Sequence, residues 1–155
     1  MDVLRRGGAL CDMCSIAGRN VRGSHGIEVT ADILFGEADF KSYDAMVLPG
    51  GMPGAAILRD NDDVIHVVKE FFSMKKIIGA ICAAPIVLYR AGIIDGVKVT
   101  SHPSVQNQIG KCQYTEEIVA EDGDIITSRG PATALYFALA ILNKLGLGDK
   151  AADLK

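Results

Sequence analysis

The 155-residue sequence has no long run of one charge: sixteen Lys and Arg stand against nineteen Asp and Glu, for a formal net charge of −3. Such a scattered, mildly acidic balance offers no electrostatic footprint for nucleic acid or anionic lipid, and neither is expected as a partner. Long apolar runs are also missing. The two longest, Ile77 to Tyr89 and Ala45 to Leu58, are broken by Gly and Pro and fall short of the ~20 residues that span a bilayer, so no membrane helix is predicted. Repeats, low-complexity tracts and Ser/Pro-rich linkers are absent, which points to one domain over residues 1–155. The first eight residues lack the apolar core of a signal peptide, and cysteines number only four. Both features predict reduced thiols in a cytoplasmic setting and no disulfide scaffold. What the chain does have is 49% apolar residues, enough to bury a core and to exclude disorder.

Short apolar runs alternate with amphipathic ones, the pattern of an α/β fold. Ala45–Leu48 and Lys76–Ile81 read as strands of a parallel sheet covered on both faces. Between them Val64, Ile65, Val67, Val68, Phe71 and Phe72 recur at helical spacing, with Asn61 or Asp62 as the cap. Leu10–Ile16, Gly26–Thr30 and Val97–Thr100 are further strand candidates, and residues 118–127 read as a hairpin turning at Asp122-Gly123. Pro131 suits the first turn of a helix running to about Leu145 and ended by Gly146; Asp149–Lys155 forms a short helical tail.

The chemistry concentrates where the run Lys76–Ile81 stops at Cys82 and passes straight into a helix expected over Ala83–Ala91. A thiol at that elbow lies beside free backbone N–H groups and the positive end of a helix dipole, which favour thiolate. The small neighbours Gly79, Ala80, Ala83 and Ala84 permit the sharp turn that a nucleophile elbow needs. A second strand opens into Pro49-Gly50-Gly51, whose amides can join that of Ala83 in an oxyanion pocket. His102 follows one helix and one strand later and returns to the same sheet edge as base or orienting partner. No metal or cofactor is expected. Cys11 and Cys14, three apart on a strand, point to opposite faces and do not converge on an ion. Cys112 reads as a strand residue and His66 as solvated. Arg6 and Arg129 are candidates for an anionic substrate or for carboxylates across a dimer seam, with ordinary ion pairing as the alternative.

Val47-Leu-Pro-Gly-Gly51, Ala80-Ile-Cys-Ala-Ala-Pro85, Ser101-His-Pro103 and Thr127-Ser-Arg-Gly-Pro-Ala-Thr133, in that order, resemble the ThiJ/PfpI superfamily. Within it they are similar to the branch that contains YajL and the Parkinson-associated protein deglycase. The resemblance implies a flavodoxin-like three-layer sandwich, usually a homodimer, with glyoxalase, deglycase or chaperone activity. It makes Cys82 the nucleophile, His102 its neighbour, Gly51 and Ala83 the oxyanion donors, and His25 a polar side chain near the pocket; a plain turn residue is the other reading of His25. Proteolytic members carry His directly after the cysteine, whereas this sequence has Ala83.

Relatives begin with a central strand ending in an acid that bonds the cysteine, and this sequence starts in the following helix, at Asp2–Gly7. The expectation is therefore a first strand supplied by a separate peptide, and weakened turnover, since Glu28, Glu37 and Asp39 read as solvated charges and not as substitutes. Two functions remain open. In one, Cys82 adds to an aldehyde or glycated substrate as a hemithioacetal. In the other, a redox-sensing chaperone oxidises Cys82 to sulfinate without turnover. Thiazole-phosphate chemistry ranks last, because the sequence has no phosphate-binding motif.

Overall fold

The computed structural model describes residues 1–154. Helix α1 (Asp2–Arg6) leads to β1 (Cys14–Ser15), an antiparallel hairpin of β2 (Asn20–Arg22) and β3 (Glu28–Thr30), and β4 (Ile33–Leu34), which pairs in parallel with β1. Then come β5 (Ala45–Leu48), α2 (Gly54–Arg59), α3 (Asp62–Ser73), β6 (Ile77–Ile81) and α4 (Pro85–Ala91). Two short parallel strands follow, β7 (Lys98–Val99) and β8 (Gln113–Tyr114). A hairpin of β9 (Val119–Asp122) and β10 (Ile125–Ser128), then α5 (Ala134–Lys144) and α6 (Gly148–Asp153), complete the described chain.

The main sheet runs β5-β6-β10-β9, parallel except for β9. Helices cover both faces. On one face, α3 and α4 bury Val64, Val68, Phe71, Ile86 and Leu88 together with Ile78; on the other, α1, α5 and α6 bury Leu4, Phe137, Ile141 and Ala151 with Ile126. Each fully buried large side chain contributes about 1.5–3 kcal/mol, so these two layers hold β6 in the middle. Asn61 caps α3 by accepting the Val64 N–H at 3.0 Å. Gly79 lets α5 approach β6: a Cβ there would stand 2.9 Å from Phe137.

Several boundaries differ from the sequence pattern. The run Leu10–Ile16 yields strand only at Cys14–Ser15, and Leu10 is wholly exposed; apolar alternation alone did not supply a pairing partner. Cys11 therefore lies outside any strand, its Sγ 3.3 Å from the Met1 Sδ. Cys112 precedes β8 and does not belong to it. The helix expected from Ala83 begins at Pro85, because Cys82–Ala84 form the turn. The hairpin register pairs Asp122 with Ile125, shifting the two-residue turn to Gly123-Asp124. Pro131–Thr133 is a 3-10 turn before α5, and Gly146 follows α5 with φ +79°. The tail packs on α5, burying Ala151; its final residue, Lys155, lies outside the described residues.

Candidate active site

Cys82 has φ +64°, in the left-handed region that side-chain-bearing residues rarely enter. Cys82 N–H donates to the Ser128 carbonyl at 2.8 Å, and the Cys82 carbonyl accepts the His102 N–H at 2.8 Å. Ala84 N–H closes the turn on Ile81 at 3.1 Å, while the N–H of Ala83 has no acceptor among the described residues. A half-buried sulfur thus stands beside an uncommitted backbone donor, the arrangement that stabilises an anion formed on or near it.

Gly50 is pressed against this elbow. A Cβ on Gly50 would lie 2.5 Å from the Cys82 Cβ, 2.5 Å from the Ile81 carbonyl oxygen and 3.0 Å from the Ala83 nitrogen. Gly51 turns with φ +90° and its carbonyl accepts from Ala55, starting α2. The N–H of Gly51, like that of Ala83, has no acceptor among the described residues. Gly50 thus brings the loop after β5 against the elbow after β6, the two strands being paired neighbours in the sheet.

His102 sits next to the elbow through its main chain. Its exposed ring is engaged in capping the 3-10 turn Pro103–Gln108: Nδ1 accepts the Ser104 N–H at 3.2 Å and lies 2.8 Å from the Ser104 hydroxyl. No hydrogen bond joins the ring to Cys82 Sγ. With Nδ1 accepting, the proton of the neutral ring sits on Nε2, which suits an orienting donor better than a base.

Other candidates are more dispersed. His25 lies in the exposed turn between β2 and β3 and contacts Ser24 at 3.2 Å. Arg129 follows β10 directly and donates to the Glu116 carbonyl at 3.0 Å. Arg6 pairs with Asp2 on the surface of α1, and His66 faces Glu70 in solvent. Glu37 holds Arg19 and the Leu34 N–H, Asp39 caps the turn at Lys41, and Glu28 is exposed on β3, so none of them is bonded to Cys82. Burial pushes the thiols of Cys11, Cys14 and Cys112 up, with Asp12 adding to the effect at Cys14 and Asp95 at Cys112. All four cysteines are free, and among the described residues no group of His, Cys, Asp and Glu is arranged to hold a metal ion.

A cavity of about 390 Å³ lies at the other end of the sheet, against Asp44, Lys75, Asp124 and Lys144, and takes in none of these site residues. The sequence reading missed Ser128 and Thr133. They lie in the quoted stretch Thr127–Thr133, but only the fold reveals that Ser128 holds the Cys82 amide and that its own hydroxyl meets Thr133 at 2.6 Å.

Known proteins resemble the chain over nearly its whole length. The model of the DJ-1/PfpI family matches residues 1–144. The chain is 35% identical over 156 residues to Protein DJ-1 homolog B of Arabidopsis thaliana, covering 99% of this chain and 36% of that protein. Against the Parkinson disease protein 7 homolog of Danio rerio it is 36% identical over 160 residues, covering all of this chain and 85% of the relative. The chain thus spans only about a third of the plant relative's length. The crystal structure of Drosophila melanogaster DJ-1beta superposes with a TM-score of 0.93 at 34% identity, covering 98% of this chain and 83% of that one. Oxidized Toxoplasma gondii DJ-1 gives 0.92 at 35%, covering 98% and 84%. The fold is the flavodoxin-like sandwich of these structures, and among the described residues no helix is long and apolar enough to cross a membrane.

Proposed function

The chain belongs to the DJ-1/PfpI family, and from that premise we propose that it captures reactive carbonyl compounds through Cys82, as a cofactor-independent glyoxalase or deglycase. One observation carries this reading: Cys82 is held in a left-handed elbow with the free N–H of Ala83 beside it and Gly50 pressed on its Cβ. The sulfur adds to an aldehyde carbon, the carbonyl electron pair moves onto oxygen near the Ala83 and Gly51 amides, and the thiol proton passes to that oxygen. The product is a hemithioacetal. Nε2 of His102 orients the adduct, and Arg129 and His25 attract polar substituents of the substrate.

A second reading rests on the carboxylates, none of which is hydrogen-bonded to Cys82 among the described residues. A sensor needs no proton-shuttling acid: the thiolate and two molecules of peroxide give sulfinate and two of water. Such a chain acts as a redox-responsive chaperone. Lactate formation from methylglyoxal by the wild type and Cys82→Ser separates the two. Cysteine-dependent lactate supports the enzyme and removes the purely sensory reading; no lactate, with ready formation of Cys82 sulfinate under peroxide, removes the enzyme.

Two partners belong to the same proposal, along with a reducing cytoplasmic setting that keeps the four thiols free. One is a second copy of the chain. The other is a peptide adding a strand, because among the described residues β1 pairs only with β4 and β5 only with β6. Intact mass measurement tests it: a fully stable sample with no species besides 16.5 kDa rules the peptide out.

A further inference from the structure

Cys82 is held in its left-handed conformation from outside the elbow, by the Ser128 carbonyl on its N–H and the His102 N–H on its carbonyl. Ser128 is the last residue of β10, where ladder pairing stops and a strand is prone to fray. Its side chain opposes that. The buried hydroxyl lies 2.7 Å from the Ile118 carbonyl, at the entry to β9, and 2.6 Å from the Thr133 hydroxyl. Thr133 in turn lies 3.0 Å from the N–H of Gly130 and 2.9 Å from its carbonyl. Gly130 packs beside the candidate histidine: a Cβ built on it would stand 3.7 Å from His102 Cδ2.

Each hydroxyl has one proton. Gly130 N–H donates to Thr133 and Ser128 donates to the Ile118 carbonyl, which leaves the Thr133 proton shared between the Ser128 hydroxyl at 2.6 Å and the Gly130 carbonyl at 2.9 Å. The chain of bonds ties the end of β10, the entry to β9 and the turn before α5 into one unit. Both main-chain contacts of Cys82 lead into that unit, one through the Ser128 carbonyl and one through the residue lying over Gly130.

We propose that Ser128 and Thr133 are positioning residues for the elbow cysteine: their paired hydroxyls fix the carbonyl that anchors the Cys82 amide and the turn that supports His102. The proposal rests on the reading of Cys82 as nucleophile. A Ser128 without its hydroxyl takes away the donor to the Ile118 carbonyl and the link to Thr133, whose hydroxyl is left with Gly130 alone, and the strand end then relaxes away from the elbow. The sulfur stays present but loses its setting beside the Ala83 and Gly51 amides.

The test is the pH profile of iodoacetamide alkylation, read separately for Cys82 and Cys112 by peptide mass spectrometry, in wild type, Ser128→Ala, Thr133→Val and Thr133→Ser. In Ser128→Ala and Thr133→Val, Cys82 alkylation at neutral pH falls roughly tenfold, within the range by which misplaced reacting groups lose rate. Its profile moves to higher pH, Cys112 keeps its wild-type rate, and Thr133→Ser behaves as wild type. Should Ser128→Ala unfold, Thr133→Val decides alone, since it keeps the side-chain shape and loses only the hydroxyl. An unchanged Cys82 profile in a folded variant overturns the proposal, as does an equal change at Cys112, which signals general loosening. Wild-type Cys82 reacting no faster than Cys112 overturns the nucleophile reading and this proposal together; fast wild-type Cys82 with unaltered variants overturns this proposal alone.

Discussion

At Cys82 stability and reactivity pull against each other. A residue with a Cβ in the left-handed region loses roughly 1–2 kcal/mol, whereas glycine enters it freely. Cys82→Gly is therefore expected to be more stable than Cys82→Ala by about 1 kcal/mol, although both lose the thiol. Denaturant midpoints of the two variants decide the matter, and an alanine variant as stable as the glycine one removes the strain argument. Gly50 gives the complementary case. Gly50→Ala drives a methyl group into the Cys82 Cβ and the backbone of Ile81 and Ala83, none of which can swing aside. A loss of about 1–3 kcal/mol is expected, with slower alkylation of Cys82. Gly54→Ala is the control, since nothing lies within 4 Å of its Cβ position. Similar losses in the two variants would show that the contact at Gly50 is not what matters.

Between α1, β1 and β4 one carboxylate acts as the tie. Asp32 accepts the Met13 N–H at 2.8 Å and the Arg5 guanidinium at 2.6 Å, and Arg5 also donates twice to the Cys11 carbonyl. The Met13 N–H, then Arg5, hold the Asp32 carboxyl below the usual carboxylate range. A depressed pKa in the folded state means stability that is fully present above the unfolded value and lost as pH falls through the folded one. Asp32→Asn should therefore be less stable than wild type at neutral pH, with the gap closing in acid. Urea midpoints at neutral and acid pH test this, and a gap that does not change with pH sinks it. Tyr43 marks the opposite limit: its hydroxyl donates to Asp12 at 2.7 Å, which pushes its pKa up to about 12. A raised acid pKa contributes stability below the ordinary value of 10 that is lost as pH rises toward 12. One of the four tyrosines should then ionise late in an alkaline absorbance titration, and four ordinary transitions would contradict the Asp12 contact.

Among the apolar side chains that the molecule leaves in solvent, two groups are notable. Ile27 is 71% exposed on the β2–β3 hairpin with Val21 and Val29 also exposed, and Leu135 is 62% exposed at the start of α5 with Tyr136 beside it. Exposed apolar groups gathered in this way mark association surfaces, in line with the proposed second copy. Light scattering on the eluting protein should give twice 16.5 kDa, and Ile27→Lys or Leu135→Lys should shift it toward the monomer. A monomeric wild type at micromolar concentration removes the homodimer.

Much of the central sheet was legible in the order of residues. Ile77–Ile81 is apolar because both faces are covered, and the stripe from Val64 to Phe71 has the period of the helix that covers one of them; Ala45–Leu48, at the edge of the four-stranded sheet, buries only Leu48 and leaves Val47 exposed, so its apolar run overstated its cover. Cys82 was legible for the same local reason: a strand that ends in small residues before Pro85 must turn sharply, and the thiol rides on that turn. Leu10 and Cys11 were misread because pairing depends on a neighbour that alternation cannot name. Local pattern fixes period, turn and cap, since these depend on residues within a few positions of one another. The contact of Gly50 with Cys82 and the main-chain bonds of Cys82 to Ser128 and His102 join segments far apart in the chain. Only packing decides such contacts, because their energies depend on distances that exist once the sheet has brought its strand ends together.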